Sequence, residues 1–238
     1  MKILIIVNVD WFIYSHRLPI ILEANKKGHE VHIATKITDL DKKQILINRG
    51  IHFHELSFDR SGKKITRIIN IFSKILFLIY KLKPNIIHLV TLQPIIIGGL
   101  AARIMGIKKV VYAISGLGHT FLSETLISKI RRFFILKIYR FALGVKNRKV
   151  IFQNPQDHAL ISKVCSLSDK ETIIIPGSGV DLEKFNYSKV PKSNPTVLMA
   201  SRLLISKGVY EFIEAAKIVQ KKGLKIKFQL VGKPDKSN

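Results

Sequence analysis

The chain has 238 residues, 40 Lys and Arg against 16 Asp and Glu, a formal charge of +24, and 47% apolar residues. That balance excludes disorder, a collagen-like repeat and a small disulfide scaffold, and the length suits one large domain or one domain with part of another. The only cysteine, Cys165, has no disulfide partner, so nothing points to an oxidising compartment and the expected location is the cytoplasm.

The chain opens on an apolar run that lacks the basic segment and small-residue cleavage site of a signal peptide, and Ile3–Val7 reads as a strand. In chain order, Leu18–Lys27 has helical period, Val31–Thr35 is a strand, Ile65–Leu82 a helix, Ile86–Val90 a strand and Ile96–Met105 a helix. Val110–Ile114, Val150–Phe152 and Ile173–Ile175 are further strands, with a helix over Leu126–Leu143. Gly28, Gly106 and Gly223 each stand between a helical segment and a strand, where a left-handed residue ends the helix. No run has the roughly 18 uncharged apolar residues of a membrane-spanning helix; the best, Ile75–Leu82, is closed by Lys74 and Lys81.

The segment NYSKVPKSNP, with two prolines among small polar residues, reads as a linker, after which Val197–Ala200, Tyr210–Lys222 and Phe228–Val231 form one more strand–helix–strand unit. Alternation throughout predicts an α/β fold, with parallel strands buried on both faces and helices on each side. The expected domains are residues 1–185, a linker at 186–195, and 196–238, the last being too short to bury a sheet alone and therefore expected to be the truncated start of a second domain.

In such sheets ligands bind beyond the carboxyl ends of the strands. After the first strand, NVDWFIYSHR brings His16 and Arg17 to a helix start, where they either bind an anion or act as a cap and a surface ion pair. After Ile114, SGLGHTF offers Ser115 and backbone N–H groups at Gly116 and Gly118. A dinucleotide fingerprint would need glycine in place of Phe121. His119 is either a general base or an ordinary hydrogen-bonded residue. Gly177 and Gly179 form a tight turn or a ligand contact, and Arg202 and Lys207, just before the helix of the last unit, fit a diphosphate.

Helix Leu126–Leu143 is amphipathic, with Ile127, Ile130, Phe134, Ile138 and Phe141 on one face and Lys129, Arg132, Lys137 and Arg140, with Phe133 among them, on the other. It fits either an anionic bilayer surface or a core with a solvated basic side. Of the eight histidines none forms a cluster with carboxylates at ligand spacing, His52 and His54 being a strand pair on one face, and no metal site is expected. Nucleic-acid binding rests on charge alone and is not expected.

Taken together, SHRLPI, HLVTLQPIIIGGLAAR, AISGLGHTF, FQNPQD, GSGVDLEKF and LMASRLLISKGVYEFIEAA resemble a family 4 retaining glycosyltransferase of GT-B architecture, with two Rossmann-like domains. The resemblance is closest to bacterial enzymes that act on polyprenyl-diphosphate-linked acceptors in O-antigen, capsule or glycoprotein glycan assembly. It implies transfer of a hexose or N-acetylhexosamine from a nucleotide diphosphate sugar, with no cofactor and no metal. It places Arg202 and Lys207 on the donor diphosphate, and His16, Arg17, Ser115, Gly116 and Gly118 towards the acceptor. His119 is the candidate catalytic residue. Lys129, Arg132, Phe133 and Arg140 would face the inner surface of the cell membrane. The family's E-x7-E motif is not found in residues 1–238, and Glu171 and Glu183 stand at the wrong spacing to replace it. The alternative is a noncatalytic remnant that binds acceptor or membrane.

Overall fold

The computed structural model describes residues 1–58, 65–117, 126–189 and 195–232, with the backbone alone at 126–128 and 131. The chain divides into two compact units, residues 1–179 and 180–238. In the first, β1 (Lys2–Val7), β2 (Glu30–Thr35), β3 (His52–Glu55), β4 (Ile86–Val90), β5 (Lys109–Ile114), β6 (Asn147–Phe152) and β7 (Thr172–Ile174) form one parallel sheet in the order β3-β2-β1-β4-β5-β6-β7. The order reverses between β1 and β4, and there the connections leave on opposite faces and open a crevice at the carboxyl edge.

One face is covered by α1 (Asp10–Phe12), a single π turn (Ile13–Arg17), α2 (Leu18–Lys26) and α3 (Leu40–Ile47). Ile13, Ile21 and Leu46 from these elements pack with Ile5, Val7 and Ile33 of the sheet. The other face carries α4 (Ile65–Leu82), α5 (Leu92–Ile104), α6 (Leu126–Ala142) and α7 (Pro155–Cys165), whose side chains bury Leu4, Ile6, Leu89, Tyr112 and Phe152. Alternate β1 residues thus enter opposite cores, which is why the strand is apolar without interruption. Gly28 and Gly106 end α2 and α5 with φ of 74° and 66°, as the sequence predicts. Cys165 ends α7 as a free, buried thiol pushed up to about 11 by burial.

Two helices escape the sequence reading. The short α3 has little apolar period and is set by its cap, the Asp39 carboxylate accepting from Lys42 N at 3.0 Å. In α7, Asn154 accepts from Asp157 N at 2.7 Å and Pro155 opens the first turn, a start signal present in FQNPQD.

The second unit contains β8 (Thr196–Ala200) and β9 (Lys227–Val231), paired in parallel and joined through a 3-10 turn (Ile205–Lys207) and α8 (Val209–Lys221). The expectation that every strand is buried on both faces fails here and at β7. Val197, Leu198, Leu230 and Val231 are exposed, because one helix covers only part of two strands, and β7 is one of the sheet's two outer strands.

A tight contact fixes α5 against α6. A Cβ at Gly99 would stand 2.8 Å from the Ala142 carbonyl oxygen, which already accepts from the Tyr112 hydroxyl at 2.8 Å. A Cβ at Gly98 would have as its nearest neighbours no backbone atom but the side-chain ends of Leu89, at 2.6 Å, and Ile6, at 3.6 Å. Gly99→Ala is therefore expected to cost about 1–3 kcal/mol in urea unfolding, and Gly98→Ala clearly less.

Candidate functional site

The carboxyl ends of β4, β5, β6 and β7 converge with the π turn around a cavity of about 410 Å³ within the first unit. Its lining includes His16, Arg17, His88, Ser115, Gln153 and the turn Gly177–Gly179. A larger depression of about 670 Å³ lies beside α4, lined by Lys36, Arg67 and Lys74 among others. It is basic, but the smaller cavity is where the strand ends converge and where two buried polar groups lack partners.

Arg17 is the first of these. The residue is 8% exposed, its Nη1 donates to Ser178 Oγ at 3.1 Å and to the His16 carbonyl at 3.0 Å, and Nε is buried with no hydrogen bond. These partners are not carboxylates, so the surface ion pair that sequence alone allowed is replaced by a buried cation in a cavity wall. Burial works against its charge. Its neighbour His16 lies flat on Phe12, with ring centroids 4.2 Å apart, and is held below its ordinary pKa by burial and by Arg17.

His88, at the centre of β4, is the second and was missed in the sequence. It sits in an apolar run, IIHLV, where a histidine reads as a hydrogen-bonded core residue. The residue is 9% exposed and Nε2 has no partner. Burial first, then the Arg17 charge, lower its pKa to about 4, against an opposing hydrogen bond to the Val111 backbone. A neutral imidazole with one ring nitrogen so engaged presents the other as an acceptor for a hydroxyl.

The surrounding loops are held firmly. Asp10 is fully buried and accepts from Thr38 N at 2.6 Å, Thr38 Oγ1 at 2.5 Å and Asp39 N at 2.9 Å, which ties the loop after β1 to the loop after β2. Thr91, one residue past β4, holds φ of 73°. A β-branched residue there stores about 1–3 kcal/mol of strain, of the kind found at functional sites.

Of the predicted acceptor residues, His16, Arg17 and Ser115 share the cavity lining and Gly116 follows directly with φ of 138°. Gly118 and His119 lie outside the described residues. Arg202 and Lys207 belong to the second unit, both exposed, Arg202 two residues beyond β8 and Lys207 just before Gly208, which caps α8 with φ of 80°. Gly232 follows β9 so closely that a Cβ would stand 1.8 Å from the Ser201 carbonyl oxygen beside Arg202. Glu171 is engaged structurally: Arg148 Nε donates to it at 2.8 Å, and chiefly through this bond its carboxyl is held at about 2.

On α6 the predicted wheel is corrected. Tyr139 and Ala142 are buried and Ile135 and Leu136 pack on the core, so the side carrying Ile130, Phe134, Ile138 and Phe141 faces outward. Phe133 and Phe134 are 55% and 59% exposed, with Lys129, Lys137 and Arg140 beside them. Arg132, seven residues before Tyr139, is half-buried on the inward side. A further correction concerns the histidines: Glu30, His32 and His52 do form a cluster, on β2 and β3.

Fold and cavity together define a doubly wound α/β domain with a polar-lined cavity at its switch point. A family model described as glycosyl transferase 4-like matches residues 2–154, and the chain belongs to that family. It is 24% identical over 225 residues to the capsular polysaccharide biosynthesis glycosyltransferase CapM of Staphylococcus aureus, covering 90% of this chain and 56% of that one. It is 25% identical over 238 residues to the N,N'-diacetylbacillosaminyl-diphospho-undecaprenol alpha-1,3-N-acetylgalactosaminyltransferase of Campylobacter jejuni, covering 94% and 61%. The chain thus spans little more than half the length of these curated relatives. The structure of Anabaena HepE in complex with UDP has the same fold, with a TM-score of 0.61 at 15% identity over 97% of this chain and 70% of that one.

The depressed pKa of His88 links protonation to stability. Between pH 6.5 and about 4 the unfolded chain binds a proton at His88 that the folded chain refuses, so the contribution is complete above pH 6.5 and is lost as pH falls through about 4. The loss is on the order of 3 kcal/mol. His88→Gln is expected to flatten the fall of unfolding free energy across this window, as measured by urea denaturation at a series of pH values.

Proposed function

We propose that the chain forms the acceptor-binding part of a retaining glycosyltransferase, which moves a hexose or N-acetylhexosamine from a nucleotide diphosphate sugar to a polyprenyl-diphosphate-linked or other cell-surface glycan acceptor. The observation that carries this reading is the buried Arg17 guanidinium in the strand-end cavity, whose described hydrogen-bond partners are uncharged and whose Nε has none. A diphosphate supplies the charge and the forked acceptor geometry that this group lacks. Family membership and the acceptor in the name of the Campylobacter relative support the assignment.

In this reading Arg17 and the backbone at Gly116 hold the acceptor's anionic group, while the bare Nε2 of His88 accepts from a sugar hydroxyl. Arg202 and Lys207 neutralise the donor's departing diphosphate, stabilising charge that grows as the glycosidic bond breaks. His119 stays the candidate for proton transfer. A lipid-linked acceptor is met at a membrane, and the outward sides of α4 and α6 suit the anionic inner face. Neither helix contains an acidic residue, and α4 adds exposed Ile69, Phe77 and Tyr80 to the aromatic and basic stripe of α6. Among the described residues no helix is long and apolar enough to cross a membrane.

Binding of a short-chain polyprenyl diphosphate, measured by calorimetry, tests the acceptor site. Arg17→Gln is expected to weaken it by about 2–5 kcal/mol while the far-UV spectrum stays unchanged; undiminished affinity removes Arg17 from the site. Vesicle sedimentation tests the surface. Replacing Lys129, Lys137 and Arg140 by Glu is expected to abolish a preference for anionic over neutral vesicles, at about 1 kcal/mol per cation removed.

A further inference from the structure

We propose that Glu30, His32 and His52 form a binding site for a divalent transition-metal ion that fastens the outer strand β3 to β2. One ligand atom from each lies within 4.8 Å of the other two. His32 and His52 are direct partners in the parallel register, and their rings stack with centroids 4.6 Å apart. Two imidazoles and a carboxylate suit zinc, nickel, cobalt or copper rather than magnesium or calcium.

Four-coordinate zinc places its ligand atoms about 3.4 Å apart, from bonds of about 2.0–2.1 Å. His32 Nε2 and Glu30 Oε1 are already 2.8 Å apart, and His52 is exposed and has room to turn inward. The buried His32 is oriented from behind, since its Nδ1 is 2.9 Å from His54 Nε2. Without an ion, His32 donates from Nε2 to Glu30 and accepts at Nδ1 from His54. With an ion on Nε2, both neutral rings change tautomer, His32 donates from Nδ1 to His54, and no proton is lost. A ligating histidine whose second ring N–H is taken up in this way is the usual arrangement around protein-bound metals. Lys2, with Nζ 3.5 Å from Glu30 Oε1, releases the carboxylate on binding.

The cluster stands towards the amino ends of β2 and β3, whereas the cavity lies beyond the carboxyl ends of the neighbouring strands. The ion's task is structural. It joins a four-residue outer strand to its only partner in the sheet.

The test is titration of chelator-stripped chain with zinc(II) or nickel(II) alone, followed by calorimetry and thermal unfolding. About one equivalent is expected to bind and to raise Tm, since an ion that binds only the folded form stabilises it. His52→Ala, on the exposed outer strand, and Glu30→Gln are each expected to weaken binding about tenfold or more and to remove the Tm rise. His29→Ala is expected to change neither, although its ring lies 3.5 Å from the terminal amine. No saturable binding, equal binding in both ligand variants, or a loss at His29→Ala as large as at His52→Ala overturns the proposal.

Discussion

Burial of the parallel sheet on both faces governs where this chain can place polar chemistry. A strand body between two helical layers is dry, and a polar side chain there costs several kcal/mol unless it finds a partner. Asp10, just past β1, meets this demand with three donors. His32 on β2 meets it with Glu30 and His54. Arg17 and His88 do not, and both border the same cavity. Buried polar atoms without a partner also occur elsewhere, at Tyr139 and Ser162 for example, so the site is marked by two of them meeting where the strand ends converge, rather than by cavity size.

The same layering explains α6. Its inward side is fixed by Tyr139 and Ala142, with the Ala142 carbonyl held by Tyr112 and approached closely by Gly99. That side is narrow, and the apolar residues left over face outward with lysine and arginine around them; Lys137 lies over the Phe133 ring at 4.4 Å. Two apolar sides on one helix mean two environments. The core accounts for one, and the proposed contact with an anionic lipid surface would account for the other.

Much of this was legible in the sequence. Short apolar runs such as ILIIV, and IIHLV with its single histidine, marked the strands, because two-sided burial leaves a compositional trace, and glycines at 28, 106 and 223 marked helix ends through their backbone freedom. SHRLP and AISG pointed to the carboxyl edge. What escaped depends on three-dimensional proximity. His88 is apolar-run context in one dimension and a cavity wall in three. The histidines at 32 and 52 are twenty residues apart and meet only through the β2–β3 register. The wheel of α6 identified two sides but assigned the core to the wrong one, since periodicity carries no sign. The second unit misled in the same manner: strands that read as buried have one helix to cover them.

Cys165 carries a practical consequence. The thiol lies in the core under α7, and burial raises it far from the thiolate that alkylating reagents require. The native molecule is therefore chemically silent to such reagents, and the chain contains no other sulfhydryl to confuse the signal. Each labelled molecule marks an excursion in which α7 has left the sheet, so labelling rate becomes a clock for opening of the layer that also bears α5 and α6.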